Sequence, residues 1–178
     1  VVLPKGLFSG LRNLEYLTLR GNRLSTLDGN MFNETKKLTQ LILWDNNLKQ
    51  LPNSLFHGLD SLNELDLEDN DIIGLPKELF WGLESLKKLY LGKNCISSLD
   101  EELFSKTYEL VELNLWDNNL EKLSKNLFIG LNKLQSLDLD GNKITDVNEN
   151  IFRDLVNLRY LYLLNNSFKS LNFNLFQY

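Results

Sequence analysis

The chain has 178 residues, 43% of them hydrophobic and 24% charged, with a formal net charge of −5. An acidic balance argues against a phosphate-bearing partner such as nucleic acid, and no apolar run approaches the roughly 18 residues of a membrane-spanning helix. One cysteine and one histidine provide neither a disulfide framework nor a Cys/His metal constellation, so no metal and no cofactor is expected.

Residues 1–13 read as the later part of a unit that is then repeated in full. Leucine stands at 14, 38, 62, 86, 110, 134 and 158, always 24 residues apart, and each opens the string L-x-x-L-x-L-x-x-N-x-[LIF]. Leu14-Leu17-Leu19-Asn22-Leu24 and Leu110-Leu113-Leu115-Asn118-Leu120 are two of the seven copies. Apolar residues at the fourth and sixth places have the period of a short, half-buried strand whose intervening residues face outward. The asparagine that follows sits where the chain leaves the strand. Its amide both donates and accepts, and burial demands that it be satisfied. We therefore expect a structural ladder of Asn22, Asn46, Asn70, Asn94, Asn118, Asn142 and Asn166.

The second half of the unit is as regular. An aliphatic residue falls at 27, 51, 75, 99, 123, 147 and 171, and phenylalanine at 32, 56, 80, 104, 128, 152 and 176. With Phe8, eight of the ten phenylalanines share one place in the repeat and should stack as a spine. A 24-residue unit cannot bury its own apolar face, and stability comes from stacking against its neighbours. These residues resemble the leucine-rich repeat family along the whole chain. The fold class expected is an α/β-type solenoid: a horseshoe with a concave parallel sheet, seven 24-residue repeats and a partial repeat at the N-terminus. It forms a single array over 1–178. Val1 stands at the twelfth place of a unit and Tyr178 at the twenty-first, and cysteine-rich caps are lacking, which are the expectations for a fragment.

Two isolated reactive residues have plain readings. Cys95 follows a ladder asparagine, at a place filled elsewhere by Arg23, Asn47 or Asp71, and is expected to be partly exposed and free. His57 follows a spine residue on the loop side, where no general-base geometry can be assembled. No enzymatic activity is expected.

Function must then lie on the outward places of the strands, the third, fifth and seventh of each unit, with the eighth at their edge. These 28 places hold nine acids and three bases, a net of −6, against +1 for the rest of the chain. The densest patch is Glu64, Asp66, Glu68 and Asp69, flanked by Asp45, with Asp138 further along. Flat strands make side chains converge poorly, so calcium is a weaker reading than a basic protein partner steered by charge. Four of six tyrosines and two of three tryptophans share this face. Trp44, Tyr90 and Trp116, joined by Tyr160 and Tyr162, form the expected ligand-binding set, because large aromatic groups with few rotors favour binding hot spots.

Finer motifs narrow the resemblance. Leu51-Pro52-Asn53-Ser54-Leu55-Phe56-His57-Gly58-Leu59 and the equivalent Leu75–Leu83 stretch resemble the typical class of animal extracellular repeats. Threonine in place of the last leucine (Thr35, Thr107) is most similar to ectodomains of insect-type Toll receptors. That resemblance implies part of a membrane-anchored innate-immune or developmental receptor that binds a protein ligand, in insects a cystine-knot cytokine. It also implies an extracellular location, no direct membrane contact by this segment, and receptor dimerisation through the parent protein. A secreted adhesion or matrix scaffold, and variable-lymphocyte-receptor-like or Slit-like binding proteins, share most of the pattern and stay open. Glycosylation sequons stand at Asn33 on the loop side and Asn165 at the edge of the last strand.

Overall fold

The computed structural model describes residues 1–169. Seven three-residue strands follow in order: β1 (Tyr16–Thr18), β2 (Gln40–Ile42), β3 (Glu64–Asp66), β4 (Lys88–Tyr90), β5 (Glu112–Asn114), β6 (Ser136–Asp138) and β7 (Tyr160–Tyr162). They pair in parallel in chain order, each residue opposite its equivalent one repeat on, as Leu65 is opposite Leu89. Parallel strands need a long crossover, and the remainder of each unit supplies it. The inward leucines of β2 to β6 (Leu41, Leu65, Leu89, Leu113, Leu137) are fully buried, as are Leu43, Leu67, Leu91, Leu115 and Leu139 two residues later. They belong to one continuous apolar core.

The chain leaves every strand through the same left-handed residue. Gly21, Asp45, Asp69, Lys93, Asp117, Gly141 and Asn165, all at the eighth place, have φ between 48° and 70°. Glycine, asparagine and aspartate tolerate that region best, and only Lys93 departs from them. Next comes the asparagine ladder. In Asn94 the side-chain amide donates to the carbonyls of Leu91 and Gly92 in its own repeat, at 3.1 Å each, and to Leu67 in the preceding one, at 3.0 Å. Its oxygen accepts the Ile72 N–H at 3.0 Å. Asn46, Asn70, Asn118, Asn142 and Asn166 repeat the pattern.

The outer limb is built of successive i→i+3 turns, for example Leu79 N–H to Pro76, Trp81 to Glu78 and Leu83 to Phe80. No α-helix occurs among the described residues, so the outer layer of the solenoid is turn rather than helix. Phe8 stacks on Phe32, and Phe56, Phe80, Phe104, Phe128 and Phe152 stack in turn, with ring centroids 6.0 to 6.5 Å apart. Parallel strands repeat at about 4.8 Å, a shorter step than the rings take, so the array curves with its sheet on the inner, concave side. Leu171 and Phe176, expected at core places, lie outside the described residues. Where threonine replaces leucine, the buried hydroxyls of Thr35 and Thr107 donate to the carbonyls of Phe32 and Phe104, closing the turn and leaving no polar group unsatisfied.

Candidate ligand-binding face

The short parallel strands project the third, fifth and seventh places of each repeat from one rigid surface. At its centre the register brings Glu64, Asp66, Glu68, Tyr90, Glu112 and Trp116 together, although they come from three different repeats. The Tyr90 hydroxyl donates to Glu112 at 3.2 Å, and the Trp116 indole N–H donates to Glu68 at 2.5 Å across two repeats. Glu64 faces Lys88 at 3.9 Å and accepts from Gln40 at 3.4 Å. Trp44 lies apart from this group, under the Arg20 guanidinium 3.5 Å from its ring centroid. The three expected anchors are therefore half-buried rings laid along the sheet. By contrast, Tyr160 and Tyr162 on β7 are 57% and 42% exposed, beside Leu164 at 68%.

Much of the acidity on this face has a local duty. Asp45, Asp69 and Asp117 occupy the left-handed exit place, where aspartate is favoured for its backbone. Asp66 and Asp138 each accept the backbone N–H two residues on, from Glu68 and Asp140, and Asn114 does the same for Trp116. The short side chain in each case satisfies the N–H that leaves the strand. Asp140 in turn accepts the Leu164 N–H. Glu64, Glu68 and Glu112 bond only to other side chains of the face, as does Asp69 through Lys93 at 3.8 Å, and the three glutamates flank Tyr90 and Trp116.

Partial burial pushes the Asp66 carboxyl up to about 6, with the charges of Glu68 and Glu64 adding to the effect and the Glu68 N–H and Arg20 opposing it. Asp138 is raised in the same sense, chiefly by desolvation, and burial with the neighbouring Glu112 also raises the Tyr90 hydroxyl. A pKa above the unfolded value means that the folded chain binds the proton more tightly, so this contribution to stability is complete below about pH 3.9 and is lost as pH rises through about 6. Asp66→Asn keeps the acceptor for the Glu68 N–H without the charge. It should raise the urea midpoint at pH 7, with an advantage that shrinks steadily between pH 7 and pH 4. An advantage independent of pH would show that the carboxyl titrates normally.

Other residues singled out by the sequence lie elsewhere. His57 is exposed on the outer turns, and Cys95 is exposed with a free thiol. Asn33 is exposed on the outer limb, its amide on Asn30, and Asn165 is exposed at the strand exit. Among the described residues no three His, Cys, Asp or Glu groups are disposed to hold a metal. Sequence reading places Arg20, Lys93 and Gly92 on this face but gives them no role. Arg20 and Lys93 pair with the tryptophans, Lys93 at 5.4 Å from the Trp116 ring. Gly92 was detectable as the only glycine at the seventh place of any repeat.

A stacked array presenting aromatic and acidic side chains from a rigid sheet, with its core used up in holding the repeats together, is a solenoid binding protein. The chain belongs to the leucine-rich repeat family, whose profile matches residues 1–43, 36–96, 63–114, 84–144 and 108–168. Comparison with curated proteins finds no match. Among solved structures it is similar to TLR13 in the TLR13–ssRNA13 complex (34% identity, TM-score 0.87, 97% of this chain and 24% of that one). It is similar also to Toll in the Drosophila Toll–Spatzle complex (30%, 0.86, 94% and 24%) and to a leucine-rich repeat protein of Leptospira interrogans (33%, 0.83, 92% and 40%). The chain thus spans about a quarter of the two Toll-type chains and less than half of the bacterial one.

Proposed function

We propose that this chain is a ligand-recognition segment of a Toll-like receptor ectodomain, extracellular in location, which binds a protein with a basic surface on its concave face. Trp44, Tyr90 and Trp116 are the anchors, with Tyr160 and Tyr162 extending the surface, and Glu64, Asp66, Glu68 and Asp138 supply the steering charge. The observation that carries the reading is the gathering of aromatic rings and carboxylates at the centre of the sheet. Toll-type relatives bind different ligands, since one is complexed with ssRNA and another with Spatzle. The −6 balance of the outward places favours the protein alternative here, because phosphates would meet like charge. In a secreted, glycosylated parent, a glycan on Asn33 would be harmless on the outer limb, whereas one on Asn165 would shield Tyr160 and Tyr162 and shift binding toward Trp44, Glu68 and Trp116.

Surface-binding kinetics with the natural ligand test the assignment. Trp116→Ala should speed dissociation by about 30-fold or more, the loss of about 2 kcal/mol typical of a desolvated anchor. Asp66→Lys should chiefly slow association and flatten its salt dependence. Lys125→Glu, exposed on the outer limb, should change neither. If the control weakens binding as much as the face variants do, or if neither face variant matters, the ligand uses another surface. Tighter binding of single-stranded RNA than of protein would replace the partner class.

A further inference from the structure

Gly92 departs from its equivalents for a reason that its own repeat does not supply. Other repeats place Arg20, Trp44, Glu68, Trp116, Asp140 and Leu164 there. Its backbone lies outside the left-handed region, so glycine is not required by conformation. Space is the requirement. A Cβ on Gly92 would fall 2.3 Å from both Cδ1 and Nε1 of Trp116 and 2.7 Å from the Glu68 carboxylate. The indole of β5's repeat therefore lies across the bare backbone of the β4 repeat and reaches Glu68 beyond it. Two strand spacings, about 10 Å, separate the backbones of those residues. A flat ring spans that distance only if nothing stands between.

We infer that Gly92 is a positioning residue, and that Glu68, Gly92 and Trp116 form a preorganised platform for a cationic side chain, arginine or lysine, of the protein partner. The inference rests on the concave-face reading above and names the chemistry recognised there. Hydrogen bonding of the indole N–H to a carboxylate fixes the ring before a partner arrives, which removes part of the ordering cost of binding. It also adds electron density to a ring face that already attracts cations within about 6 Å. The chain's own cations follow this preference, with Arg20 over Trp44 and Lys93 over Trp116 at the longer distance of 5.4 Å from the ring centroid, where a partner's cation would take its place. Glu64, Asp66 and Glu112 share the sheet face with the platform and, with Glu68, outnumber Lys88 and Lys93 there, so an anionic side chain would fit it less well.

The positioning step can be read without any partner. In the 15N-labelled chain, with its indole resonance assigned through Trp116→Phe, the Trp116 N–H should exchange slowly with solvent. Glu68→Gln retains an acceptor oxygen and should preserve that protection. Gly92→Ala and Glu68→Ala should each speed exchange at least tenfold while leaving the Trp44 and Trp81 indoles unchanged. Unchanged exchange in both variants overturns the positioning role. If Gly92→Ala loses the dispersed amide spectrum of the folded array, Glu68→Ala decides alone. Titration with the capped peptide Ac-Arg-Arg-NH2 tests the ligand class: it should shift the Trp116 indole selectively, with an affinity about 3-fold or more weaker in the variant that loses the protection. A protected indole with shifts no larger than those of Trp81 on the outer limb overturns the cationic platform, while the concave-face reading would still stand or fall on the kinetics above.

Discussion

Phe104→Ala should lower the unfolding free energy by about 3–5 kcal/mol, the usual cost of truncating a buried aromatic ring. The ring is 1% exposed and stacks on both neighbours, 6.2 Å from Phe80 and 6.5 Å from Phe128. Because the repeats pack chiefly against their immediate neighbours, stability is approximately a sum of unit and interface terms. This single truncation weakens two interfaces in the middle of the array. Urea unfolding followed by circular dichroism should therefore show a lower midpoint together with a broader or divided transition, as the flanking repeats begin to unfold separately. A loss below about 1 kcal/mol would mean that the stacked rings do not hold the outer limb together.

Asn94→Ala should cost about 1–3 kcal/mol, and the bond network identifies where that cost falls. Removing the amide does not orphan its carbonyl partners. Leu67 still accepts from Asn70, Leu91 from Asn118, and Gly92 from the Asp69 N–H. Ile72 is different: its N–H donates to Asn94 at 3.0 Å and is buried, so truncation leaves a donor with no acceptor. Hydrogen exchange at the Ile72 amide should accelerate accordingly, while strand amides of distant repeats keep their protection. Asn119→Ala, one place beyond a ladder residue, should cost under about 0.5 kcal/mol. Equal urea midpoints for the two variants would remove the ladder's structural role.

The repeat was legible because identical constraints recur. Leu65, Asn94 and Phe104 each meet the same surroundings as their equivalents 24 residues away, so periodicity revealed burial, turn and stack without coordinates. The eighth place was read as the edge of the binding face, yet its recurrent positive φ shows a backbone requirement that accounts for Asp45, Asp69 and Asp117. A mixture of Gly, Asp and Asn in that column was the available signal, and Lys93 obscured it. Similarly, the charge of Asp66 and Asp138 was visible, whereas their bonds to the N–H groups of Glu68 and Asp140 depend on side-chain direction.

The sequence by itself determined the architecture: a 24-residue period that buries two leucines per strand, closes each exit with an asparagine and stacks phenylalanine outside can be satisfied only by neighbouring copies in register. It also determined which residues occupy the sheet face. Only the tertiary structure decided how those residues meet, because contacts between strands depend on the roughly 4.8 Å step of the parallel sheet and on the space left at each position. Trp116 and Glu68 are two repeats apart in sequence, and their hydrogen bond exists because the backbone between them, at Gly92, carries no side chain.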